Sequence, residues 1–221
     1  MNKNQKRLAL IIVDLIVFVF SMLGLIFTLA DVRFMGDYPR LSSVPYLMTF
    51  TGLSNVFVGL VCLLCAVTRL IKKDEPLPVA LFLIKIIALA EISITFITTA
   101  AYLVPSLGNE WWRLYLNASL FNHLLTPVTA IVGFLLLEEH VEIPFNYCFF
   151  SIVPIVLYTS MYLINILNHL KPDGGVDPIY DIYGFLRFGY FAAPLFFIGF
   201  LGLTFGFTVL YRFQNKQKRS K

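Results

Sequence analysis

Polar positions along this chain are sparse and clustered, and between the clusters lie six long apolar runs, approximately residues 8–30, 46–71, 79–103, 114–137, 144–167 and 185–211. A helix that crosses a bilayer needs about 20 consecutive apolar residues, and each run is long enough. The pattern therefore predicts an all-α, polytopic membrane protein: six transmembrane helices in one bundle, with residues 1–221 forming a single domain. The connections are short. IKKDEPLP and EEHVEIP lie on one side, each ending in a proline suited to starting a helix; DVRFMGDYPRLSSVP, PSLGNEWWR and NHLKPDGGVDPIYDIYG lie on the other. No soluble domain, low-complexity tract or internal repeat fits between the runs, which leaves function to the bundle interior or the longer loops.

Composition agrees: 58% of residues are hydrophobic and 14% charged, with a mean hydropathy of +0.79, where soluble domains carry roughly 45–50% and about 25%. Charge adds an orientation. Eleven basic residues (Lys3, Lys6, Arg7, Arg69, Lys72, Lys73, Arg212, Lys216, Lys218, Arg219, Lys221) flank one side of a six-span arrangement and five (Arg33, Arg40, Arg113, Lys171, Arg187) the other. The excess of Lys and Arg on cytoplasmic loops then puts both termini in the cytoplasm, with the cell membrane as the location. The net charge of +4 follows from that topology, so membrane lipids and not nucleic acid are the expected partners. MNKNQKR followed by an apolar stretch longer than the usual 7–15 residues reads as an uncleaved anchor, not a secretion signal. Cys62 and Cys65 form a C-x-x-C inside an apolar run without strand context, which points to packing, as for Cys148; no metal or other cofactor is expected.

Two further features have default structural readings. Gly199, Gly202 and Gly206 in the last run would let a partner helix approach closely. Trp111, Trp112 and Tyr115 mark a membrane interface, and the Asn117-Ala118-Ser119 glycosylation pattern falls at the membrane edge, where it would be hard to modify.

Ionisable side chains are expensive in hydrocarbon, so each one inside a span starts as a functional hypothesis. Asp14 and Lys85 lie near the cytoplasmic ends of their runs, shallow enough for the lysine to snorkel, and a structural role is the favoured reading of both. Glu91 lies near the midplane, with Thr95, Thr98 and Tyr102 on the same face; this stripe either lines a polar cavity or joins two helices. In the second run Thr51, Ser54 and Asn55 share a face at i, i+3 and i+4, whereas Thr49 points about 200° away from Thr51. In the fourth run His123 shares a face with Ser119, Thr126 and Pro127. Proline lacks an N–H, so in α-helical register the carbonyl of His123 loses its partner and the helix is expected to bend there. Such a break survives in lipid where protein or water satisfies the freed group, which argues for a polar pocket. Counting from the outer edge at about 1.5 Å per residue puts Thr51 about 7 Å and His123 about 13 Å deep. A hydroxyl and an imidazole at similar depth are the minimum parts for nucleophilic catalysis; the alternative is a histidine that merely ties neighbouring helices together.

Three segments carry a resemblance: FTGLSN at 50–55, NHLLTPV at 122–128 with the apolar run on to Glu138, and DPIYDIYGF at 177–185. They resemble bacterial six-helix membrane proteins similar to the androgen-induced membrane hydrolases. That resemblance implies a catalytic threonine in an early span and a histidine in a later one, cleaving fatty acid esters of hydroxy fatty acids within the membrane. By position the histidine is His123. The threonine is Thr49 if the family's L-T-F pattern maps onto Leu47-Met48-Thr49-Phe50, and Thr51 if F-T-x-x-S-N is the guide; helix face favours Thr51.

Two readings follow. In the first, Thr51 attacks an acyl carbonyl of a lipid ester, His123 acts as base and then acid, and Ser54, Asn55, Asn122, Thr126 or the loosened backbone near Pro127 offer hydrogen bonds to the oxyanion or support the pair. Tyr180, Asp181 and Tyr183 would meet a polar head group, unless they only form a wet loop. In the second, the bundle is non-enzymatic, a small transporter or a membrane interaction partner, with Glu91, Lys85 and His123 as a relay or packed polar core. Transporters often pair interrupted helices in corresponding halves; the internal prolines Pro127 and Pro154 do not pair in that way.

Overall fold

The computed structural model describes residues 2–36, 45–73, 75–177, 179–188 and 192–217, with backbone only at 187–188 and 192–193. Arg40, Lys218, Arg219 and Lys221 of the topology count, and Pro178 of the DPIYDIYGF segment, lie outside the described residues, as does the side chain of Arg187. The described chain is helical without strands, and six helices are long and apolar enough to cross a membrane: span 1 (Lys3–Leu29), span 2 (Phe50–Ile71), span 3 (Val79–Ser106), span 4 (Ala118–Leu137), span 5 (Phe145–Leu167) and span 6 (Pro194–Gln217). This is the architecture of a multi-pass membrane protein.

The starts follow local chemistry. Asn2 accepts from the Gln5 amide while the Gln5 side chain returns the bond, a capping box that closes span 1. Thr49 caps span 2, and Pro78 and Pro144 occupy the cap positions of spans 3 and 5, as the prolines at the loop ends predict. Two expected limits shift. The tryptophans sit on a 3₁₀ segment, Gly108–Tyr115, and span 4 begins after it at Ala118. Pro154 falls in the first turn of the α-helix Ile152–Leu167, where span 5 passes from the 3₁₀ segment Phe145–Ser151 into α register.

Span 3 is the axis of the bundle, with 67% of its apolar window buried against 22% for span 5 and 17% for span 6. Around it Val17, Val58, Cys62, Phe82, Ile86, Leu89 and Phe134 form one core joining spans 1 to 4. Close approach depends on small residues: a Cβ at Gly59 would collide with Ser21, and one at Gly133 with Val13. The glycines of span 6 do not work this way. A Cβ on Gly199, Gly202 or Gly206 meets nothing within 4 Å, so these residues face away from the rest of the chain, contrary to the close packing expected of them.

Asp14 and Lys85 are in structural contacts, the reading favoured from sequence, but the lysine does not snorkel to the interface. At the end of the bundle that carries both termini, Lys85 bonds Asp14 (2.7 Å) and Glu138 (2.6 Å), and Arg69 pairs with the same two carboxylates. All four side chains are 4% exposed or less, making a closed, neutral ring that ties spans 1, 2, 3 and the end of span 4. Each charge faces two of opposite sign, the condition under which ionised groups tolerate removal from water. Arg69, counted from sequence as a loop charge, is part of this core. Span 6 is fastened at the same end: Asn215 accepts from the Val141 amide (3.0 Å) and donates to the Glu139 carbonyl (2.7 Å), and Tyr211 bonds Ser93 at 2.6 Å.

Candidate functional site

The opposite end of the bundle is built around two interrupted helices. In span 4, Phe121–Leu125 is a π-helical turn in which the Thr126 amide bonds the Phe121 carbonyl, five residues back. In that register the next carbonyl, that of Asn122, would need an N–H from Pro127. It receives instead the Asn55 amide, with Nδ2 at 3.0 Å. The π turn thus adds to the α-helical expectation at His123: the carbonyl of Asn122 also lacks a partner from its own helix in this register, and a side chain of span 2 satisfies it. Span 3 repeats the device. The Val104 amide bonds Thr99 across a π turn, Thr99–Leu103, immediately before Pro105.

The π turn is clamped from its other side as well. Asn122 Oδ1 accepts from the Tyr46 hydroxyl at 2.7 Å, and a Cβ at Gly24 would collide with that oxygen, so span 1 comes close here because residue 24 is glycine. Asn55 Nδ2 also donates to Thr51 O (2.8 Å), and the Ser54 hydroxyl bonds Thr95 Oγ1 (2.7 Å) and Thr51 O (3.2 Å). The donors of Ser54 and Asn55 are therefore spent on helix contacts. Neither residue lines either of the two cavities beside Thr51, nor do Thr126 and Glu91, which are buried. Among the described residues the two Glu91 carboxylate oxygens, Asn55 Oδ1 and the hydroxyls of Thr126 and Thr99 have no hydrogen-bond partner.

Thr49 and Thr51 separate clearly. The Thr49 hydroxyl donates to Tyr46 O (2.7 Å) and accepts from the Gly52 amide (2.9 Å), so proton and lone pair both serve the helix cap. Gly52 is required for this: a Cβ there would strike the Tyr46 carbonyl. Thr51, one residue into the helix, borders two cavities. One, of about 380 Å³, is apolar and runs between spans 3, 5 and 6, lined by Ile94, Thr95, Ile155, Leu163, Phe196 and Phe200 among others. The second, of about 290 Å³, is more polar and is lined by Thr49, His123 and Asn122 together with Asp31, Arg33 and Arg113. Thr51, Leu103 and Tyr183 belong to both linings, forming the wall between the cavities.

His123 thus shares a cavity with Thr51, and its ring is oriented. Nδ1 lies 2.9 Å from the Leu114 carbonyl of the 3₁₀ segment. A carbonyl only accepts, so the neutral ring carries its proton on Nδ1 and keeps Nε2 as the basic nitrogen.

Tyr183 is the wall residue that sequence reasoning placed in a loop, to meet a polar head group or only water, without linking it to Thr51. Its hydroxyl oxygen accepts from the Phe50 amide at 2.8 Å, at the N-terminus of span 2. Burial pushes the phenol above its ordinary pKa, partly offset by hydrogen bonding such as that from the Phe50 amide. The Tyr102 hydroxyl holds the Tyr183 carbonyl at 3.0 Å. Asp181 organises the loop: it accepts from Tyr162 and from the amides of Phe185 and Leu186, both at 3.0 Å. Tyr180 stacks on His169, with centroids 3.8 Å apart, and lines neither cavity. The aromatic richness of DPIYDIYGF was the available signal, but nothing local ties residue 183 to residue 51.

Among the described residues no group of three His, Cys, Asp or Glu side chains is arranged to hold a metal ion. The cysteines are free and buried. The chain matches no protein-family model, no curated protein and no solved structure.

Proposed function

We propose that this protein is an intramembrane hydrolase of fatty acyl esters, residing in the cell membrane with both termini in the cytoplasm and drawing its substrate from the surrounding lipid. Thr51 is the nucleophile and His123 the general base that later returns the proton to the leaving alcohol. The observation that carries this reading is the position of Thr51 in a wall with an apolar cavity on one side and, on the other, a polar cavity that also holds His123. The resemblance of FTGLSN and NHLLTPV to the androgen-induced membrane hydrolases supports the same pair. Because the Thr49 hydroxyl is committed to its cap, Thr51 is the better of the two threonines. The test is labelling with a fluorophosphonate probe in membranes. Wild type and Thr49→Ser should label, whereas Thr51→Ala and His123→Ala should not; labelling retained in both alanine variants would sink the pair.

One observation favours the non-enzymatic reading, a small transporter. Glu91 is buried deep in span 3 with both oxygens unpartnered among the described residues, and two spans are interrupted. The interrupted helices are consecutive, however, not counterparts in two halves, which is the arrangement transport folds use. Pulling proteoliposomes through a pH or sodium gradient and finding Glu91-dependent flux, with no Thr51-dependent hydrolysis, would transfer the assignment.

A further inference from the structure

The two cavities differ in kind, and the difference specifies a ligand. The larger is walled mainly by apolar side chains such as Ile94, Ile155, Leu163, Phe196 and Phe200, and Thr51 and Tyr183 form part of its wall. Its volume of about 380 Å³ falls at the small end of pockets that enclose one small-molecule ligand, room for one aliphatic chain. The smaller cavity presents Thr28, Asp31, Arg33, Ser106, Arg113 and Asn117. An aliphatic chain laid there would strip water from the Arg33–Asp31 pair, bonded at 2.7 Å, and from Arg113 beside Glu110, without offering hydrogen bonds in return. A hydroxylated head group would replace that water. Both charge signs already face the space, so a neutral polyol suits it better than an ion.

Building on the hydrolase reading, we infer that the paired cavities bind a single-chain acyl ester of a polyol, of the monoacylglycerol type. The chain lies in the cavity between spans 3, 5 and 6, the polyol lies in the cavity beside His123, and the ester carbonyl sits at the Thr51 wall. Hydrolysis at that point is balanced by water. The Thr51 oxygen bonds the acyl carbon and the polyol oxygen leaves with the proton carried by His123; water then cleaves the acyl–Thr51 ester, releasing a fatty acid and restoring the hydroxyl.

Binding separates this inference from the catalytic one. Full-length protein in lipid nanodiscs is loaded with a fluorescent single-chain fatty acid, which is then displaced by a long-chain monoacylglycerol, a short-chain monoacylglycerol, a diacylglycerol, or a fatty acid ester of a hydroxy fatty acid. The long-chain monoacylglycerol should compete about tenfold better than either two-chain lipid. Ile155→Trp, which fills the apolar cavity, should weaken the long-chain ligand about tenfold while sparing the short-chain one; Leu163→Trp, on the more accessible side of the same cavity, is the independent check should Ile155→Trp fail to fold. Two-chain lipids competing as well as the monoacylglycerol, or long-chain binding unchanged in the folded tryptophan variants, would overturn the inference. Selective binding without hydrolysis would leave the ligand assignment standing and remove the catalytic one. Thr51-dependent hydrolysis confined to two-chain esters would do the reverse.

Discussion

The two ends of the bundle bury polar groups by opposite means. At the end carrying the termini, Asp14, Arg69, Lys85 and Glu138 neutralise one another in a ring with each charge answered twice, beside an apolar core. At the other end, Thr51 and His123 line one cavity, while the donors of Ser54, Asn55 and Tyr46 and the acceptors of Asn122 are taken up by contacts around them. The ring stabilises the fold; the cavity pair is where an added molecule has something to meet. A buried polar residue is thus a poor guide to function until its partners are known, because the more strongly ionised cluster here is the structural one.

The comparison is broken most severely at the ring. Glu138→Ala leaves Lys85 and Arg69 facing a single carboxylate and should cost about 3–5 kcal/mol, a large part of a typical folding free energy of about 5–15 kcal/mol. Thermal unfolding in detergent would show the lowered midpoint, and loss of folded yield is the extreme outcome. If the ring acts as a unit, the neutral pair removal Lys85→Met with Glu138→Gln should cost less than the sum of its single changes, by about 1–3 kcal/mol of coupling in a double-mutant cycle. Strict additivity would mean that the four charges act separately.

Next in size is the clamp on the π turn. Gly24→Ala puts a methyl group into Asn122 Oδ1 and should cost about 1–3 kcal/mol through overpacking. It should also reduce hydrolysis, because Asn122 precedes His123 in the same turn; unfolding and turnover measured on one sample would show whether the two losses travel together.

The smallest stability effects, and the largest functional ones, belong to the cavity pair. Thr51→Ala should change stability by less than about 1 kcal/mol, while hydrolysis and probe labelling fall to background. His123→Asn sharpens the point further. An asparagine amide can keep a donor toward the Leu114 carbonyl but provides no base, so folding should be retained while turnover drops about 10²–10⁴-fold. If His123→Asn instead keeps turnover near wild type, the ring is only a strut.

Legibility followed the range of the interaction. The spans were readable because length and hydropathy are local sums, and the starts at Pro78 and Pro144 because a proline acts on its own turn; Thr49, read from sequence only as a candidate nucleophile, is the cap of span 2. Helical period placed Thr51 with Ser54 and Asn55 on one face. Periodicity could not report that Ser54 and Asn55 spend their donors on Thr95 and Asn122, since those contacts cross between helices. It also could not report the bond from Asn55 to the Asn122 carbonyl, because counting four back from Pro127 presumes an α register that the chain abandons at Phe121–Leu125. Tyr183 joins Thr51 across more than a hundred residues of sequence and had no local signal beyond its aromatic company.

What the sequence determined by itself is a helical chain with six segments apolar enough for a bilayer, since the absence of water in hydrocarbon forces backbone groups to pair within each segment. The tertiary structure decided which polar residues are mutually satisfied and which face space. That depends on rotation and height of one helix against another, quantities fixed by side-chain packing such as Gly24 against Asn122 and Gly59 against Ser21, and not by the pattern within any one helix.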